Sequence, residues 1–174
     1  RMGGIFKSYT FKLYYGGSGN TAVGQDSGLG TTFGLDNTIM GREAGISITE
    51  GSSNVCIGAL SDVGPLLDNV VVVGAGSSSV SAGDTVVGQG ITSLADDAVI
   101  VGRAASVGAA GADSVVLGSG ASSNVSKGIA LGQGAAVSTS SEALAIEINN
   151  ASYTAGVSIG CLVNGNSELI SLAS

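Results

Sequence analysis

The chain has 174 residues and a net charge of −7; only 11% of its residues are charged, and it contains neither histidine nor tryptophan. The length suits one domain with a real core, while the charged fraction is less than half the roughly 25% of ordinary soluble domains. Acidity without a basic patch argues against a nucleic-acid partner, and no apolar run approaches the ~18 residues of a spanning helix, so membrane insertion by this chain is not expected.

Residues 1–19 differ in composition from the rest of the chain. Arg1, Lys7 and Lys12 hold half of the six basic residues, and Phe6, Tyr9, Phe11, Tyr14 and Tyr15 hold most of the aromatics. Alternation through Ile5–Tyr15 predicts a strand that caps the next domain, connects subunits or contacts a receptor. The segment lacks the apolar core and cleavage site of a signal peptide, so export is expected to be encoded elsewhere or the chain to arrive on a virion.

From residue 20 a short apolar strand ending in glycine returns along the chain, at Thr21-Ala22-Val23-Gly24, Thr38-Ile39-Met40-Gly41, Val55-Cys56-Ile57-Gly58 and Val71-Val72-Val73-Gly74. It continues at Thr85-Val86-Val87-Gly88, Val99-Ile100-Val101-Gly102, Val115-Val116-Leu117-Gly118 and Ile129-Ala130-Leu131-Gly132. Ala143-Leu144-Ala145 and Val157-Ser158-Ile159-Gly160 look like two degenerate further copies. A unit of 14 to 17 residues is too short for a strand, a helix and a return, but it fits two short strands and two tight turns. Alone it cannot bury its apolar side; stacked in parallel, each coil pairs with the next. The expected fold is all-β: a parallel β-solenoid of about ten coils over residues 20–160, closed by a strand or cap over 161–174 that includes Leu169–Leu172.

The corners should repeat with the strands. The anchor glycines Gly24, Gly41, Gly58, Gly74, Gly88, Gly102, Gly118 and Gly132 fit corners that need a positive φ or a close backbone approach. Asn20, Asn37, Asn54, Asn69, Asp84, Asp97 and Asp113 each lie four or five residues before an anchor glycine, and predict one stacked ladder of turn-forming side chains. Calcium held by Asp84, Asp96, Asp97 and Asp113 is the alternative, but the dense nonapeptide spacing of a calcium-binding roll is missing, so no cofactor is expected. Weaker second strands are expected at Ile46-Ser47-Ile48, Ser79-Val80-Ser81, Thr92-Ser93-Leu94 and Ala136-Val137-Ser138. Cys56 and Cys161 form no metal cluster and are expected as free thiols, with one bridge as the alternative.

Residues of a strand alternate sides, and here both sides are apolar. A lone rod would leave its outer face in water, so the middle residues Ile39, Cys56, Val72, Val86, Ile100 and Val116, with Ala130, suggest a second buried surface that an oligomer interface would supply, a core face being the other reading. Oligomerisation is therefore expected, with burial of each larger side chain among them contributing ~1.5–3 kcal/mol.

These residues carry a resemblance. Asn20-Thr21-Ala22-Val23-Gly24 and Asn37-Thr38-Ile39-Met40-Gly41 resemble the NTAIG repeats of phage and large-virus tail fibres and spikes. Asp113-Ser114-Val115-Val116-Leu117-Gly118-Ser119-Gly120-Ala121 and Gly128-Ile129-Ala130-Leu131-Gly132-Gln133-Gly134-Ala135 resemble head repeats of YadA-type trimeric autotransporter adhesins. The resemblance spans about residues 20–135, extending weakly to Gly160. It implies a left-handed β-roll, a homotrimer, and an extracellular role in binding a host-surface protein or glycan. No heptad stalk or membrane anchor is visible, which favours a virion fibre over a bacterial adhesin head; a filament subunit without a receptor is the third reading.

No enzyme is expected. Val73-Gly74-Ala75-Gly76 has the start of a dinucleotide-binding turn, but Ser79 stands at the third glycine's place and Gly-x-Gly recurs at Gly88, Gly118 and Gly132 as part of the repeat. Solenoid acyltransferases rely on histidine, as does a hydrolase triad, and this chain has none. A Ser–Lys dyad would need Lys7, Lys12 or Lys127, without a matching segment. Ice binding would need a Thr-x-Thr column, and Thr31-Thr32 does not recur.

Overall fold

A computed structural model describes residues 17–138 and 144–146. Residues 1–16 of the expected 1–19 cap, the expected cap at 161–174, the copy at Val157–Gly160 and Cys161 lie outside the described residues.

The described chain is all-β and winds as a parallel solenoid of eight turns. Each turn begins with a three- to five-residue strand. These are β1 (Thr21–Val23), β2 (Thr38–Met40), β3 (Val55–Ile57), β5 (Val71–Val73), β7 (Thr85–Gln89), β9 (Val99–Arg103), β11 (Val115–Leu117), β13 (Ile129–Leu131) and β15 (Leu144–Ile146). They stack in that order as one nine-stranded parallel sheet. The two-residue strands β4 (Asp62–Val63), β6 (Ser78–Ser79), β8 (Thr92–Ser93), β10 (Ser106–Val107), β12 (Ser122–Ser123) and β14 (Ala136–Val137) stack as a second, six-stranded sheet.

Register is kept throughout, because insertions fall in the turns. Thr21 pairs with Thr38, Thr38 with Val55 and Val55 with Val71, although those steps differ in length from the later Val71-to-Thr85 step. A slip by one residue would turn every aliphatic side chain to the opposite face. The last copy is displaced by one from its sequence assignment: Leu144, not Ala143, pairs with Ile129, and Ala145 takes the inward place.

The second sheet also differs from expectation. Its strand in the fourth turn is Ser78–Ser79 rather than 79–81, and Val80 is exposed at the corner beyond it. Ile46-Ser47-Ile48 is not a strand; Ile48 is buried, Ile46 is exposed, and Ser47 hydrogen-bonds through its N–H to Asp62 Oδ1 at 3.1 Å. Strands of two residues, each with one residue inward and the other polar, are too short for hydrophobic alternation, which is why β4, β10 and β12 have no clear signal in the sequence.

The core is a single narrow column set. Ile39, Cys56, Val72, Val86, Ile100, Val116 and Ala130 face inward from the first sheet and meet Val63, Val107, Val137 and Ile91 from the other side. The middle residues are therefore the interior of each coil and not the expected interface between chains: they already reach 0–1% exposure within one chain, because the opposite sheet and corner pack onto them.

Candidate functional site

Two corners flank the nine-stranded sheet, and each is built from stacked columns. On the corner that precedes the strands, the predicted single ladder is two ladders. The residue immediately before each strand points inward. Asn20, Asn37, Asn54 and Asp84 occupy this column, with Val70, Ala98, Ser114 and Gly128 in the other turns. One residue earlier, Asn69, Asp97 and Asp113 lie in a separate exposed column with Asp36, Ser53 and Lys127, all in the left-handed region with φ between 55° and 60°. Asn and Asp suit both places for different reasons. The outer column uses their tolerance of the left-handed conformation; the inner one uses their side-chain amide or carboxyl as a hydrogen-bonding group.

The inner ladder closes the coils on each other. Asn37 Nδ2 donates across its own coil to Gly51 O at 2.8 Å and to Asn20 Oδ1 at 3.0 Å. Asn37 Oδ1 accepts the Asn54 N–H at 3.0 Å, and Asn54 Oδ1 accepts the Val70 N–H at 2.9 Å. Asn20 and Asn54 repeat the crossing bond, to Gly34 O and Leu67 O, both at 2.7 Å. Asn37 and Asn54 are fully buried, so these bonds satisfy backbone groups that water does not reach.

Asp84 takes the same place with different chemistry. Its Oδ1 accepts the Ala98 N–H at 2.9 Å, while its Oδ2 lies 2.6 Å from Ser79 Oγ. Burial pushes its carboxyl above the ordinary aspartate range; bonds from Ser79, Ser93 and the Ala98 N–H oppose that rise, and nearby Asp96 adds to it.

On the corner beyond the strands, the eight anchor glycines stack with φ from 117° to 156°. At Gly88 the reason is direct: a Cβ there would strike the carbonyl oxygen of Gly102 in the next turn. A second left-handed column lies two residues later, through Asp26, Glu43, Leu60, Gly76, Gly90, Ala104, Gly120 and Gly134. Arg42 and Arg103 stand on this corner.

Between the corners lies the outer face of the sheet, expected from the sequence to carry the middle residues and occupied instead by the first and third residues of each strand. Its first column runs Thr21, Thr38, Val55, Val71, Thr85, Val99, Val115, Ile129, Leu144. Its second runs Val23, Met40, Ile57, Val73, Val87, Val101, Leu117, Leu131, Ile146. From the third strand onward only Thr85 interrupts the aliphatics. Val101, Leu117 and Ile129 are each 39% exposed, although each is stacked between neighbours above and below. A continuous outward apolar band of this kind marks an interaction surface rather than scattered surface hydrophobics.

Chemistry-bearing groups are sparse. Among the described residues no cluster of His, Cys, Asp or Glu could hold a metal ion, and Asp84, Asp96, Asp97 and Asp113 do not converge, since Asp84 points into the core and the others outward. Cys56 is a free thiol, fully buried, donating to Ser61 Oγ at 3.2 Å. Burial pushes its pKa up, which makes it an inert core residue. Among the described residues no helix is long and apolar enough to cross a membrane.

No protein-family model matches the chain, and no curated protein is significantly similar to it.

Proposed function

We propose that the chain is a non-catalytic rod segment of a homotrimeric fibre or spike on a virion surface, and that the assembled rod presents a surface for attachment to a host protein or glycan. The observation that carries this reading is the outward apolar face of the nine-stranded sheet. A rod of stacked coils needs its interior filled, and Ile39, Val72, Val86, Ile100 and Val116 fill it. It does not need a second aliphatic face in water. Val99, Val101, Leu117 and Ile129 are retained on that face at a cost in solubility that burial against neighbouring copies removes. The virion assignment rests on the likeness of Asn20–Gly24 and Asn37–Gly41 to tail-fibre repeats.

The test is attachment. Purified oligomeric chain should bind candidate host cells saturably and compete with intact particles for the same sites. An intact trimer that binds no host surface would reduce the role to an architectural filament.

A further inference from the structure

We propose that charges on the two corners flanking the apolar face fix how copies dock: Arg103 and Arg42 of one copy pair with the acidic corner of its neighbour, at the same height along the rod. This inference rests on the homo-oligomer proposed above and adds its orientation and register.

The apolar face is too small to hold copies together by itself. Nine strands at a spacing of ~4.8 Å give a face about 38 Å long, and its two columns lie ~7 Å apart, so it offers roughly 270 Å². A stable interface buries about 800 Å² per partner. The corners beside the face must therefore enter the contact.

Symmetry then sets which corners meet. Strands cross the face at right angles to the rod. When copies are related by rotation about an axis parallel to the rod, the corner that precedes the strands in one copy meets the corner beyond the strands in the next. Antiparallel face-to-face docking instead brings like corners together. The preceding corner is acidic, with Asp36, Asp68, Asp96, Asp97 and Asp113 exposed on it. Like-corner docking would set these carboxylates against one another; unlike-corner docking sets them against a corner that carries Asp26 and Glu43 beside Arg42 and Arg103, with Glu43 paired to Arg42, so Arg103 is its unpaired cation among the described residues.

Charge spacing sets the register. Arg42 comes just after β2 and Arg103 ends β9, four turns further along. Asp36 precedes β2, and Asp96 and Asp97 precede β9, so the acids are also four turns apart. At zero offset both arginines face acids. A shift of one turn in one direction sets Arg103 against the uncharged Ala82-Gly83 corner; one turn the other way leaves Arg103 with Asp113 alone in place of two acids and Arg42 facing Ser52-Ser53; a shift of two sets Arg103 against Lys127. Arg103 is exposed and makes no ion pair among the described residues, whereas Arg42 already pairs with Glu43. Arg103 is therefore the principal register group.

Cysteine pairing tests this directly. Gln89 ends β7 and Ala82 precedes it on the opposite corner, and both are exposed. The full chain with Cys161→Ser that carries Gln89→Cys and Ala82→Cys should form intermolecular disulfides on mild oxidation, and either of these two substitutions alone should not. Sedimentation of the same sample reports assembly separately. Oligomers that crosslink through Ala82→Cys alone, that pair Ala82→Cys with Ala75→Cys in preference to Gln89→Cys, or that form no crosslink would overturn the inference while leaving the oligomer standing. A monomer would overturn both. Arg103→Glu should weaken assembly at least ten-fold, and adding Asp97→Lys, a residue this left-handed column already accepts at position 127, should restore it. Unchanged assembly in Arg103→Glu would also overturn the inference.

Discussion

Ser79 Oγ lies 2.6 Å from Asp84 Oδ2 and 2.9 Å from the Ser81 carbonyl oxygen, so one hydroxyl hydrogen faces two acceptors. A neutral Asp84 resolves the conflict: its own proton serves the short bond and the Ser79 hydrogen serves Ser81. In the turns below, Asn37 and Asn54 meet the same corner with an amide that both donates and accepts.

Because burial raises the Asp84 pKa, neutral Asp84 favours the folded state at acid pH, and that contribution is lost as pH rises through the raised folded value. Asp84→Asn, which copies the lower turns, is therefore expected to stabilise the fold by about 1 kcal/mol at neutral pH. The gain should shrink as pH falls through the raised folded value toward the ordinary aspartate range. Urea midpoints of both proteins across that window measure it; a gain that grows on acidification contradicts the assignment.

The reciprocal change should hurt. Asn37→Ala leaves the buried Asn54 N–H and Gly51 carbonyl without their side-chain partners. The expected loss is about 2–4 kcal/mol, since two buried groups lose their bonds. Asn37→Asp should also destabilise at neutral pH, because a carboxylate cannot donate to Gly51 O. Equilibrium unfolding of the two variants gives both numbers.

Ala104 and Ala105 are neighbours with opposite expectations. Ala104 is exposed at φ 54°, a conformation that costs an L-residue roughly 1 kcal/mol or more, whereas Ala105 is buried. Ala104→Gly should stabilise by about 0.5 kcal/mol after the added freedom of the unfolded chain is counted. Ala105→Gly should destabilise by about 1 kcal/mol. Thermal melts that show the same sign for both would contradict the corner geometry.

The strands of the first sheet and their anchor glycines are legible in the sequence because period, apolar triplet and glycine coincide at every turn. The side each residue faces is not, since Val115, Val116 and Leu117 are all aliphatic. The usable signal is Thr21, Thr38 and Thr85: hydroxyls at the first strand position mark that column as outward and leave the middle column, with Cys56 and Ala130, as the core. The two corner ladders merge in the sequence because Asn and Asp serve both, and only the one-residue difference between Asn54 and Asn69 in distance to the next anchor glycine separates them. The second sheet is faint because Ser78–Ser79 and Ser122–Ser123 bury hydroxyls where a strand signal would need aliphatics.

The outer apolar face carries the proposed assembly, and sedimentation equilibrium of the chain beside Val101→Lys/Leu117→Lys tests it most directly. Both side chains point out of the coil, so the double substitution spares the interior. The wild-type chain should sediment as three copies and the variant should lose that assembly, with β structure followed by circular dichroism. A wild-type chain that sediments as a stable, folded monomer, unaltered by the two lysines, would contradict it.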